Sequence, residues 1–324
     1  MSENIGLLGR GLGMVLRNKR YIVWFYVMNL LLGLFGTIAF VNQAGTILDH
    51  SLQADRLLHG FDVAVLVEMF ARPEFGPTIA SRLPAMLLAF LFLVSTTLFL
   101  PGVLQGYAST YRLPREDFFR ACGRNVWRFI RLLLVAGIVM IPLTSALFGL
   151  HGVLEKKAAE STNELLLPEV RLAGLVVIFL VMAAVRIWFD LAQVDVVLSD
   201  QRAIRKSIGA GFRHTWGNLG RLLGGYVVTT IVAAIVLVMG VWAWMKFVPP
   251  ASVLGAFFIS QLTLLLLLIP RFWQRGIVVT YYLQNMVEPI AVQPFTPVAI
   301  VAPVVNESVL APVIPVTPPE ATGS

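Results

Sequence analysis

Residues 222–247 read LLGGYVVTTIVAAIVLVMGVWAWMKF, and the one charged side chain in the run is Lys246, next to its end. Crossing a hydrocarbon layer of about 30 Å takes about 20 apolar residues in a helix, at about 1.5 Å each. A helix is required because a lone segment in lipid must satisfy its own backbone polar groups. Five further stretches are long enough: 21–41, 85–108, 130–150, 172–194 and 252–285, each bounded by charge or by a Pro/Gly turn. The predicted fold is therefore all-α, a polytopic membrane protein of about six transmembrane helices. Composition points the same way: 57% of the 324 residues are hydrophobic and 13% are charged, where a soluble domain carries about 25% charged residues.

The boundaries carry further expectations. The first stretch contains Trp24, Tyr26 and Asn29 and exceeds the apolar core of a cleaved signal peptide, so it reads as a span. Pro249 and Pro250 lie between the fifth and sixth stretches and predict a tight helical hairpin. The sixth is too long for a perpendicular span and holds Pro270, Arg271, Gln274 and Arg275, which predicts a tilt, a kink or an exit from the membrane near Pro270.

Basic residues set the orientation. Fifteen lie before span one and in the segments between spans two and three and spans four and five, against seven in the alternate segments. By the positive-inside tendency the first set is cytoplasmic, which puts both termini in the cytoplasm of a multi-pass protein of the cell membrane. Residues 1–20 then form a basic interfacial segment and 21–287 the membrane domain. The loop 42–84 repeats Leu57, Leu58, Phe61, Val65 and Met69 at helical spacing, which predicts a helix along the outer surface. Residues 288–324 carry eight prolines among Val, Ala and Thr, a composition that predicts a disordered cytoplasmic tail, partly polyproline II.

From Pro114 the chain reads PREDFFRACGRNVWRFIR. Proline followed by Glu116 and Asp117 marks a helix start, since acids suit the positive end of the helix dipole. At 100° per residue Phe118, Cys122, Val126 and Phe129 share one face, and Arg120, Arg124, Arg128 and Arg131 share the opposite one. That predicts a membrane-surface helix with its apolar face in the acyl boundary and its guanidiniums on anionic lipid phosphates. The alternative is a solvated basic loop that only sets topology. The pattern returns 93 residues later: Phe119-Arg120, Asn125 and Arg128 match Phe212-Arg213, Asn218 and Arg221. In this second copy Arg205, Lys206, Arg213 and Arg221 are the expected headgroup contacts. A degenerate copy, Asn18 before Lys19 and Arg20, opens the chain. Three units of one surface helix and two spans predict a pseudo-repeated bundle.

The run Arg186-Ile-Trp188, Ala192, Val196-Val197-Leu198, Ala203-Ile204-Arg205-Lys206-Ser207, Phe212-Arg213 and Asn218 to Arg221, closed by Tyr281-Tyr282, resembles the membrane domain associated with glycerophosphoryl diester phosphodiesterases. The resemblance covers roughly 85–290 and departs from the family's pattern at Ile187, between the Arg and the Trp, and at Asp200, where a glutamate is usual. It implies a membrane domain without an assigned reaction. A phosphodiesterase site needs His with Glu/Asp ligands, whereas His50, His59, His151 and His214 are scattered and no HExxH, phosphate loop, GxSxG or CxxC occurs. No catalytic, metal or cofactor site is expected, and Cys122, the single cysteine, reads as a buried thiol.

The net charge of +7 sits beside apolar spans, so the expected partners are anionic membrane lipids rather than nucleic acid. Inside the spans stand Arg186 and Asp190, four residues apart, then Asp195, and Arg271 with Arg275 at the same spacing. Ionisable groups at this depth cost roughly 3 kcal/mol each and should face one another rather than lipid. They read either as a salt bridge locking spans four and six or as a polar pathway. Two functions follow: a lipid-interacting or membrane-organising protein, or a transporter or permease for a small solute or lipid.

Overall fold

A computed structural model of the chain describes residues 2–48, 79–161, 163, 165–249 and 252–287, with side chains described over 6–35 and from 86 onward. Eight helices run through them: α1 Ser2–Arg17, α2 Arg20–Leu48, α3 Ile79–Ala108, α4 Arg115–Ala159, α5 Leu166–Leu198, α6 Ile204–Gly217, α7 Leu219–Phe247 and α8 Val253–Asn285. The described residues contain no strand. Five helices, α3, α4, α5, α7 and α8, are long and apolar enough to cross a membrane. The apolar part of α2 with described side chains, Arg20–Phe35, is shorter; the first expected span lies within α2. The chain is an all-α polytopic membrane protein. The expected outer helix near 57–69 and the tail 288–324 lie outside the described residues.

The second span of each predicted unit lies at the centre, where α3, α5 and α8 pack on one another. Against each rests the amphipathic segment of the next unit: the first turns of α4 on α3, α6 on α5, and α1 on α8. The last contact joins the start of the chain to its final span, so the three units close into a ring. Small residues make these crossings possible. A Cβ on Gly276 would stand 2.5 Å from the carbonyl oxygen of Gly11, and one on Gly211 would stand 2.9 Å from that of Trp188. Two tryptophans clamp the same crossings: Trp188 Nε1 donates to Ile208 O at 2.8 Å and Trp273 Nε1 to Leu8 O at 2.9 Å. The repeated asparagines mark the joints. Asn18 and Asn218 sit at breaks between amphipathic helix and span, whereas Asn125, fully buried, lies inside an unbroken helix.

One expectation is corrected. The segment 117–131 is not a separate surface helix, because α4 runs on for 45 residues from Arg115, about 67 Å at the helical rise. Its apolar face does not enter lipid: Phe118, Cys122 and Phe129 are buried in the protein core. Gly102 of α3 explains why, since its missing side chain lets Phe118 and Cys122 close onto the helix. At the last span, α8 continues through Pro270 to Asn285 as one helix.

Candidate functional site: a charged groove and a basic recess

The intramembrane charges converge where α5, α7 and α8 meet. Asp190 is buried and accepts two bonds, from Tyr226 Oη at 2.6 Å and from Arg275 Nη1 at 2.9 Å. Arg275 also donates to Gln193 Oε1 at 2.7 Å. Arg186 approaches Asp190 only to 3.7 Å and lies over the Tyr226 ring, 5.9 Å from its centre. Arg271 has no carboxylate at ion-pair distance among the described residues; its guanidinium lies over the Phe92 ring at 5.2 Å. Asp195 stands apart from the arginines and accepts from Tyr282 Oη at 2.9 Å. Of the five predicted residues, the fold thus brings Arg186, Asp190, Arg271 and Arg275 together and gives Asp195 a tyrosine.

These four line an open groove of about 580 Å³ with Thr230 and Gln274 on its floor. Its walls are α4 and α7, which do not pack on each other. The sequence reading missed Tyr226 and Gln193, both distant in sequence from the partners they meet. It also passed over a signal in plain view: Arg186-Ile-Trp188 and Arg271-Phe-Trp273 are the same Arg-x-Trp triplet on equivalent central spans. Four residues beyond the arginine the two copies differ, Asp190 in one and Arg275 in the other, and these two form the salt bridge.

A second site lies at the α1–α2 corner. Arg17, Lys19, Arg20 and Arg112 surround a recess of about 590 Å³ with Trp24 and Tyr111. Arg17 donates to Ser109 O at 2.8 Å and Arg20 to Leu113 O at 2.6 Å, which ties the corner to the loop before α4. Carbonyls do not neutralise charge, and among the described residues no carboxylate pairs with these four cations. Trp24 is also a wall of an apolar trough of about 580 Å³ that continues along Val27, Met28, Leu31 and Phe119.

The predicted headgroup arginines have separate fates. Arg128 and Arg124 both reach Asp200, at 2.5 and 3.9 Å, so they fasten α4 to the turn after α5. Hydrogen bonding from Arg128, reinforced by the charges of Arg124 and Arg202, holds the Asp200 carboxyl below the usual carboxylate range. Arg120 reaches back to Asp117 at 3.2 Å, and Arg131 lies over Trp127 at 5.2 Å. Arg205, Lys206 and Arg213 are exposed along α6, and Arg221 is half-buried at the start of α7. Among the described residues no group of His, Cys, Asp or Glu side chains is arranged to hold a metal ion. Compared with known proteins, the chain matches no family model, no curated protein and no solved structure.

Proposed function

We propose that this integral membrane protein binds anionic phospholipid in the cytoplasmic leaflet of the cell membrane, with both termini on the cytoplasmic side. One observation carries the reading: the basic recess and the apolar trough share Trp24. A phospholipid has the same two-part chemistry, an anionic head and an apolar chain joined at the interface. Guanidinium and ammonium groups attract the head, and trough side chains cover part of an acyl chain that lipid would otherwise surround. The indole at the junction suits that depth, since tryptophan places an apolar body and a polar N–H across an interface. The resemblance to the phosphodiesterase-associated membrane domain is compatible with this reading and adds no reaction to it. We propose no enzymatic role.

The test is lipid retention. The purified protein should keep an anionic phospholipid such as phosphatidylglycerol in native mass spectrometry under conditions that strip phosphatidylcholine. Lys19 and Arg112 are exposed, so neutralising both leaves the fold's hydrogen bonds in place. At about 1 kcal/mol per basic residue near a charged surface, the Lys19→Gln/Arg112→Gln protein should bind roughly 30-fold more weakly. Equal retention of neutral and anionic lipid by the unaltered protein would refute the reading.

A further inference from the structure

The groove between α4 and α7 holds more positive charge than the protein itself neutralises. Three arginines face one aspartate there. Asp190 is committed to Arg275 and Tyr226, Arg186 touches it only at 3.7 Å, and Arg271 has an aromatic ring for a neighbour. Uncompensated guanidiniums at membrane depth are costly, so such groups mark places where a counter-charge is supplied.

The depth is also telling. The amphipathic helices cross the central spans at Gly276 and at Trp188 to Ala192. Arg271 lies five residues before the first crossing and Arg186 two to six before the second, roughly 3 to 9 Å further along the spans at about 1.5 Å per residue. The groove is open on the side where α4 and α7 fail to meet, and its walls there are the half-buried Ala136, Met140 and Ala233. Gln274 and Thr230, hydrogen-bonded to each other at 3.4 Å, put amide and hydroxyl dipoles on the floor.

We infer that this groove is a binding site for one phosphate group, held by Arg186 and Arg271 while the Asp190–Arg275 pair fixes the floor beneath it. Two planar guanidiniums, one with only a 3.7 Å contact to a carboxylate already bound to Arg275 and the other against an aromatic ring, suit a tetrahedral anion with several acceptor oxygens, each forming charge-assisted bonds. The phosphate reaches the site either as a free anion or as the head of a lipid entering between α4 and α7. This site shares no residue with the basic recess at the α1–α2 corner and does not depend on it.

The experiment uses the full chain in neutral detergent and in the Lys19→Gln/Arg112→Gln background, so that the recess does not contribute. Thermal unfolding is followed during titration with inorganic phosphate, with a water-soluble short-chain phosphatidate and with the matching phosphatidylcholine, at ionic strength held constant with chloride. A saturable rise in Tm with a phosphate-bearing probe, absent with chloride, is expected. A charged hydrogen bond of about 1.5 to 3 kcal/mol corresponds to at least about tenfold in affinity, so Arg271→Gln should weaken binding by that factor and Arg271→Lys by less. Ala233→Phe, which fills the mouth without altering charge, should abolish the response. Saturation by inorganic phosphate identifies a free-anion site, and saturation by phosphatidate alone identifies a lipid headgroup. No saturable response to either probe overturns the inference, as does an unchanged response in Arg271→Gln and Ala233→Phe. Should Arg271→Gln not fold, the unaltered groove and Ala233→Phe still decide the question.

Discussion

Asp190 is 4% exposed and satisfied from two helices, which makes it the residue where one neutralisation does most harm. Asp190→Asn removes the charge facing Arg275 and leaves a guanidinium buried without its counter-ion, a loss of about 3 kcal/mol for a pair of this kind. Thermal stability in detergent should fall accordingly. Adding Arg275→Gln removes the orphaned charge and should restore part of the loss, a coupling that a double-mutant cycle reads directly. If the double variant is no more stable than Asp190→Asn alone, the two side chains are not an energetic pair. The glycines act at the same scale through absence. Gly11, Gly211 and Gly276 place backbone against backbone where any Cβ would collide with a carbonyl or amide, so alanine at Gly276 has no room without separating α1 from α8.

Among the elements, α4 is the one whose role depends on a contact outside itself. Its buried apolar face leaves the arginine face outward, and Arg128 with Arg124 is fixed by Asp200. Asp200 adopts φ 52°, a left-handed conformation that Asp and Asn tolerate better than other non-glycine residues. Asp200→Asn should therefore preserve the turn while removing the ionic clip. The pH dependence has a definite sign. A carboxyl held below its usual range contributes stability that is present at neutral pH and lost as pH falls through the lowered value. An exchange or labelling probe on the 199–203 turn should show the clip intact near neutrality and released only in acid. In Asp200→Asn the turn should respond as if already released, independent of pH. Acid-induced loosening that persists unchanged in Asp200→Asn would assign it to another group. Helix α8 teaches a related lesson. Proline in its interior did not end it: α8 packs against α1, α5 and α7, and neighbouring helices re-satisfy backbone groups freed by proline in a bilayer.

For the whole molecule, the ring of three units places the α1–α2 corner, the loop before α4 and the turn after α5 at one end, tied by Arg17, Arg20 and Arg128. The turn after α4, flanked by the pair of Glu155 in α4 and Arg171 in α5 at 2.9 Å, falls at the other. Orientation in the cell follows from accessibility: a cysteine at Glu160 should react with an impermeant reagent in intact cells, and cysteines at Arg115 or Lys206 should not. Cys122, the only native cysteine, is buried and leaves the background clean. Labelling at Lys206 in intact cells would invert the proposed topology. The helical class and the repeated pattern were legible in the sequence because each depends on local quantities: run length, hydropathy and recurring residues such as Asn18, Asn125 and Asn218. The predicted lipid-facing side of 117–131 was misread because amphipathicity reports that a face is apolar, not what covers it, and here Gly102 lets a neighbouring span do so. A salt bridge between spans four and six was legible, but not which arginine would hold Asp190. Arg186, Arg271 and Arg275 were equal candidates by charge and spacing, and only the crossing of α5, α7 and α8 put Arg275 and Tyr226 on the carboxylate while leaving Arg271 in the groove without one.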